Sequence, residues 1–183
     1  NDSLKQGTIP VKATFKAIHI VNTQTIESPA KNDLNFIIMH RFRKLNDGAY
    51  NFFGLDNASI RLGLDYGITD RLGVGIGRSS VEKMFDGYLK YKLLRQSEGE
   101  KPFPFSVSIL GSITNYTLKF SDKPYLNAKY RTTYVMQALF ARKFSSKVSL
   151  QLTPTWLHYN LVPTVKDNND VFAATVSGRV KFT

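Results

Sequence analysis

The chain has 183 residues, enough for one domain, and its 42% of apolar residues suffices either for a buried core or for a lipid-facing surface. The absence of cysteine excludes disulfide frameworks, thiolate nucleophiles and thiolate metal sites, and it suits a periplasmic route. The net charge of +11 raises nucleic acid as a partner, but Lys and Arg are scattered singly along the chain, so we expect no nucleic-acid binding.

The sequence contains no run of about 18 consecutive apolar residues, which argues against a transmembrane helix. A membrane protein of this kind has to be a closed β-barrel, the other structure that satisfies every backbone hydrogen bond within lipid. At the N-terminus, Asn1-Asp2-Ser3-Leu4 has neither a basic start nor an apolar signal stretch. We therefore interpret residues 1–10 as a mature N-terminal extension.

Alternation of apolar with polar or small residues runs along the whole chain and predicts β-strands rather than helices. The period appears first at residues 11–17 and 34–42. It is clearest at 60–68, which a tight turn at 69–71 joins to 72–76 in a predicted hairpin. Further strands are predicted at 89–93, 107–113, 130–140, 148–156 and 172–182. This makes about nine strands, most of them near the ~9 to 11 residues that a tilted strand needs to cross a bilayer.

The connections between these strands alternate between short and long. A second tight turn is expected at 144–147, and longer loops at 79–86, 115–129 and 159–170. Short turns at one end and long loops at the other are typical of outer-membrane barrels, whose short side is periplasmic. Counting back from the 69–71 turn, however, the strand at 11–21 would begin outside the cell. Either that segment is not a membrane strand, or an element near 45–57 is miscounted.

Alternation alone would also suit a soluble periplasmic lipid-binding barrel, whose apolar faces point inward. Two features favour the membrane. The faces opposite the apolar ones are rich in Gly and Ser, and aromatic residues cluster near the predicted strand ends, as in interfacial girdles. The aromatic residues assigned to the interfaces are Tyr66, Trp156, Tyr159, Phe172 and Phe182.

From these patterns we expect an all-β protein, an antiparallel up-and-down transmembrane β-barrel of about 8 to 12 strands. It would form a single domain over residues 1–183 and lie in the bacterial outer membrane. Its surroundings would then be the lipid bilayer and lipopolysaccharide.

Several motifs are similar to those of a known family. The sequence reads RFRKLNDGAYNFFGLDN at 41–57, IRLGLDYGITDRL at 60–72 and DGYLKYK at 86–92. Together with ARKFS at 141–145 and NDVFA at 169–173, these motifs resemble a Bacteroidota outer-membrane β-barrel family of unknown function. The resemblance extends from about position 11 onward and is strongest over 41–72. It implies a fold and a location without catalytic residues, and it implies further strands after Thr183, so that the barrel would be incomplete in this chain.

A set of charged residues shares the polar parity of the predicted strands and is expected to face the barrel interior. These lumen-facing residues are Arg41, Arg61, Asp65, Lys90, Lys92, Arg131 and Arg179. We favour a hydrogen-bonded network that fills a narrow barrel, in which Arg61 is satisfied together with Asp65. The alternative is an electropositive passage that makes the protein a narrow, anion-preferring channel.

Catalytic and metal sites are not indicated. His19, His40 and His158 fall in phase with the lipid-facing residues near strand ends, where an interfacial ring is the ordinary interpretation. No motif places a nucleophile beside a base, and the acidic loop at 167–170 lacks the distal Glu of a calcium-binding loop. We therefore expect no catalysis, no metal and no cofactor, and a structural or envelope-assembly role. The apolar FFGL run in the 43–57 loop either folds inward or contacts other envelope proteins.

Overall fold

The structure, a computed structural model, describes residues 8–20, 23–41, 59–118 and 121–182. The predicted 43–57 loop, including its FFGL run, lies outside these ranges. None of the helical turns within them is long and apolar enough to cross a membrane.

The described residues form twelve strands. They are β1 (Ile9–Pro10), β2 (His19–Ile20), β3 (Thr23–Gln24), β4 (Leu34–Arg41), β5 (Ser59–Gly67), β6 (Leu72–Ser79), β7 (Met84–Leu94), β8 (Ser97–Glu98), β9 (Ser106–Tyr116), β10 (Thr132–Lys143), β11 (Val148–Tyr159) and β12 (Asp170–Val180). The strands β4–β7 and β9–β12 form one antiparallel sheet, in which each strand lies beside the one that precedes it in this series. The remaining short strands pair in two small ladders, β1 with β8 and β2 with β3. The all-β, antiparallel, up-and-down fold predicted from the alternation is confirmed.

Side chains of the large sheet alternate between two different faces, as the pleat of a β-strand requires. On β5, Leu62 and Leu64 are 46% and 39% exposed, whereas Asp65 between Leu64 and Tyr66 is fully buried. We call the face with the buried side chains the inner face and the other the outer face. The outer face is apolar along every long strand, and its exposed residues include Phe36, Ile76, Leu89, Ile113, Met136, Leu152 and Val176.

The two ends of the sheet differ in their connections. At the short-turn end, β5 joins β6 through residues 68–71 and β10 joins β11 through 144–147. At the long-loop end, β9 joins β10 through 117–131 and β11 joins β12 through 160–169. The predicted loops at 115–129 and 159–170 are present. The loop predicted at 79–86 is shorter, because β7 already begins at Met84 after a single 3-10 turn at Val81–Lys83. At the short-turn end the exception is the connection from β7 to β9 through residues 95–105, which includes β8.

The strand predicted at 11–17 is wrong. Residues 11–18 are not a strand, and Ala13 has a positive φ of 52°, which interrupts an extended chain. The chain instead runs along the inner face and folds back through the β2–β3 pair. Phe15 and Ile26, from its two arms, are buried in one cluster with Leu110 and Leu139 of the sheet. We call residues 8–20 and 23–33 the N-terminal plug.

This path answers the question of strand number within the described residues. Because residues 11–17 are part of the plug, the large sheet has eight strands. Its first strand, β4, begins at the short-turn end, and its last strand, β12, ends there. The number of strands in this sheet is even, but the sheet does not close into a barrel within the described residues, which is consistent with the predicted incomplete barrel. The strands β4 and β12 are the two edges of this sheet and form no ladder with each other in the described part of the chain.

Candidate functional site: the occupied barrel interior

The middle of the plug is bound by two buried side chains of the large sheet, which forms the barrel wall. Lys90, fully buried on β7, donates from Nζ to the carbonyl oxygen of Thr25 at 3.1 Å and to that of Glu27. Gln151 on β11 accepts from the backbone N–H of Ile26 at 2.8 Å and donates to the carbonyl oxygen of Gln24 at 2.9 Å. Side chains of the wall thus satisfy backbone groups of the plug that no ladder pairs.

The short-turn end repeats this arrangement with two further cations. Lys143 on β10 donates from Nζ to the carbonyl oxygen of Lys12 at 2.8 Å. Arg179 on β12 donates from Nη1 to the carbonyl oxygen of Ala13 at 3.1 Å. Lys143 and Arg179 therefore donate to neutral carbonyl oxygens of the plug, where a charged donor makes a stronger hydrogen bond than a neutral one.

Asp65 is paired with the plug as well. Its Oδ2 lies 2.7 Å from Nε2 of His19, whose ring meets that of Tyr88 edge-on with the centroids 6.5 Å apart. Gly75 leaves the space for this cluster, because a Cβ there would lie 2.2 Å from the Tyr88 ring and 2.4 Å from Asp65. His19 was predicted to face lipid; it faces the interior because its segment is part of the plug and not a membrane strand.

Arg61 pairs with Asp86 and not with Asp65. Its Nε donates to Oδ1 of Asp86 at 2.8 Å and its Nη2 to Oδ2, which is the two-pronged geometry that guanidinium and carboxylate groups favour. A Cβ at Gly77 would lie 2.3 Å from Nη2, and one at Gly63 would lie 2.7 Å from Nη1. The inner-face glycines thus make room for the guanidinium group. Asp86 was missed because it was assigned to a loop, although it shares the parity of Lys90.

The remaining predicted lumen residues lie nearer the ends of the sheet. Arg41 is exposed at the long-loop end of β4, and Arg131 is half-buried just before β10. Lys92 is half-buried near the short-turn end of β7. The structure therefore brings Arg61 and Asp65 into one region, holds Lys90 and Arg179 on the plug, and leaves Arg41 and Arg131 near the long-loop end.

A cavity lies on each side of the plug. The one toward the long-loop end has a volume of about 340 Å³ and is lined by Arg41, Arg61 and Asp86 together with His19 and Gln24 of the plug. The one toward the short-turn end has a volume of about 310 Å³, and its lining combines Lys92 and Arg95 with Lys12, Thr14 and Glu27 of the plug. The plug therefore separates the two cavities.

The predicted interface aromatics lie near the ends of the strands of the large sheet. Tyr66 is near the short-turn end of β5, and its hydroxyl donates to Asn32 at 3.3 Å. Trp156, Tyr159 and Phe172 are at the long-loop end, and Phe182 follows β12 with 91% of its surface exposed.

His158 lies in a hydrogen-bonded cluster at the long-loop end. At the long-loop end, Trp156 Nε1 and His158 Nδ1 lie 2.9 Å and 2.8 Å from the same oxygen of Asp170. No hydroxyl group of the described residues hydrogen-bonds to His158, and no group of three His, Asp or Glu side chains among them could hold a metal ion. His40 is exposed on the outer face of β4.

An antiparallel sheet with an apolar outer face and a polar inner face is the architecture of a membrane β-barrel. A scan against family models matches residues 15–183 to the family described as "Membrane bound beta barrel domain (DUF5777)", and the chain belongs to this family. Neither a search of curated proteins nor a search of solved structures found a match. Membership of a membrane-bound family removes the soluble lipid-binding barrel as an alternative.

Proposed function

We propose that this chain is an outer-membrane barrel of a Gram-negative bacterium whose interior is closed by its own N-terminal plug. It acts without catalysis, as a structural or envelope-assembly subunit, and its neighbours are phospholipid, lipopolysaccharide and envelope proteins that contact the 43–57 loop. The resemblance of its motifs to a Bacteroidota outer-membrane family supports this location.

The observation that carries the proposal is that four inward cations are bound to the plug or to an acid of the sheet. A channel for anions needs cations whose donors face water in an open bore. Here Lys90, Lys143 and Arg179 donate hydrogen bonds to carbonyl oxygens of the plug, and Arg61 is paired with Asp86. These contacts favour a closed lumen over the narrow anion-preferring channel.

The test is electrical and compares the intact chain with a variant that lacks residues 8–27. In planar bilayers the intact protein should give no steady current. The deletion variant should conduct with a preference for anions, because Lys90, Lys143 and Arg179 would then face water in the emptied interior.

Folding of both proteins is checked first by the far-UV circular dichroism of the sheet and by heat-modifiable migration in gels. Steady anion-selective current through the intact chain would contradict the closed lumen and favour the channel. The location is tested separately, by density separation of inner and outer membranes from cells that produce the protein; recovery with the inner membrane would contradict it.

A further inference from the structure

Arg142 is a cation on the lipid-facing side of the barrel. It is the next-to-last residue of β10, at the short-turn end, and it is exposed on the outer face next to Ala141, which is fully buried on the inner face. Its guanidinium carbon lies 4.9 Å from the centre of the Phe144 ring and 5.5 Å from that of Phe105. Two aromatic rings at the edge of the outer face therefore hold this charge in place by cation–π contact.

Among the residues that the structure describes, Arg142 forms no ion pair with an acidic side chain. The ion pairs of the described residues involve His19, Arg61 and His158, and Arg142 makes no hydrogen bond with any described residue. Residues 139–152 and 171–183, which contain the short-turn ends of β10, β11 and β12, include no Asp or Glu. Glu98 and Glu100, which lie between β7 and β9, form no ion pair with Arg142.

More positive charge lies at the same edge. Lys147 is in the β10–β11 turn, and its carbonyl oxygen accepts a hydrogen bond of 2.8 Å from the backbone N–H of Lys181, which follows β12. Lys143 and Arg179 are also at this end, but their side chains are directed to the plug. We call Arg142 and the two exposed lysines at this end, Lys147 and Lys181, the basic rim.

A charge in lipid-facing register is costly at the bilayer centre and becomes tolerable only at the interface. At that depth the anions that a membrane offers are the phosphates of its lipid headgroups. Guanidinium binds phosphate through two parallel hydrogen bonds, and clusters of Lys and Arg at the membrane surface attract anionic lipids.

We propose that the basic rim is a binding site for the headgroup of an anionic phospholipid, with Arg142 as the residue that binds its phosphate. The proposal rests on the membrane-bound barrel and not on the closed lumen, so a conducting barrel would leave it intact. It assigns the aromatic rings of Phe105 and Phe144 the role of orienting the guanidinium group toward the lipid.

The test measures the thermal stability of the folded protein in vesicles of phosphatidylcholine alone and in vesicles that also contain phosphatidylglycerol. The wild-type midpoint should rise with phosphatidylglycerol, and Arg142→Gln should lose at least half of that rise. Arg142→Lys should retain part of it, because it keeps the charge without the planar fork.

The matched control is Arg78→Gln. Arg78 is on the outer face near the long-loop end and lies 5.3 Å from the ring of Phe85, but Glu82 follows it closely in the chain. The Arg78→Gln variant should keep the whole rise in the unfolding midpoint. An equal loss in Arg78→Gln, an unchanged rise in Arg142→Gln, or no rise in the wild type would each overturn the proposal.

A measurement on the unmodified protein keeps the proposal testable if Arg142→Gln does not fold. Electron spin resonance with spin-labelled lipids should show that phosphatidylglycerol is preferred over phosphatidylcholine at the protein surface by about twofold or more. The preference should fall at high salt, because the attraction is electrostatic. Equal immobilisation of the two lipids would contradict the site.

Discussion

At the scale of single residues, the stability of the barrel interior depends on the partner with which each buried charge is paired. Arg61 and Asp86 have only 12% and 14% of their side chains exposed, and each would be left without its main partner if the other were removed. The glycines opposite Arg61 matter as much as Asp86, because side chains at Gly63 and Gly77 would occupy the space of the guanidinium group.

We expect Arg61→Gln and Asp86→Asn each to lower the free energy of unfolding by about 1 to 3 kcal/mol, because each leaves a partly buried charged group unmatched. The double variant should lose less than the sum of the two, since neither charge is then left alone. Urea unfolding of the folded protein in lipid vesicles measures both. Arg41→Gln, at the exposed end of β4, is the control and should change stability by less than about 0.5 kcal/mol. Additive losses would show that Arg61 and Asp86 do not act as a pair.

At the scale of elements, the plug is the part of the chain whose structure depends most on side chains of other elements. Its two short strands pair over only two residues each. An isolated pair of that length is not stable in water, so its position depends on the contacts from Lys90, Gln151 and Asp65. The plug should therefore open locally more readily than the strands of the large sheet.

Lys90→Met tests this dependence. It removes the donors to Thr25 and Glu27 while it keeps an unbranched side chain, so the amide hydrogens of residues 23–27 should exchange faster by about tenfold or more. The amides of β11 should be little changed. Lys92→Met, two residues along the same face of β7 and half-buried, is the matched control, and it should accelerate exchange in residues 23–27 far less than Lys90→Met does. Equal acceleration in the plug and the sheet would indicate global destabilisation and contradict a local role for Lys90.

At the scale of the whole molecule, the continuous apolar outer face is what commits the protein to a membrane. Leu64 on β5 is paired with Phe36 on one neighbouring strand and with Ile76 on the other. Phe36 and Ile76 are 64% and 63% exposed, so Leu64 lies in an apolar band that continues across neighbouring strands. Such a band would be unfavourable in water and is stabilised by lipid.

Leu64→Arg should destabilise the folded protein by about 2 to 4 kcal/mol, the cost of a charge near the bilayer midplane. Leu64→Phe, which keeps the surface apolar, should be nearly neutral. The folded fraction after refolding into vesicles, followed by heat-modifiable migration and urea unfolding, checks both variants. A neutral Leu64→Arg would mean that this face does not contact the hydrocarbon core.

The sequence by itself determined the fold class, most of the strands and the two faces of the sheet. Period-two alternation is a local property, and lipid on one side of a strand imposes it residue by residue, so 60–68 and 72–76 could be assigned without knowledge of their neighbours. The parity that placed Asp65 and Lys90 on the polar face has the same origin.

Only the tertiary structure decided what fills the interior and which charges pair. Residues 11–17 alternate as a membrane strand does, but a non-strand segment bound inside a polar lumen can carry the same pattern, and contacts from distant strands distinguish the two. His19 was assigned to the wrong side for this reason. The partner of Arg61 depends on the register that brings β7 beside β6 and on the space left by Gly63 and Gly77, and neither is a local property of the sequence.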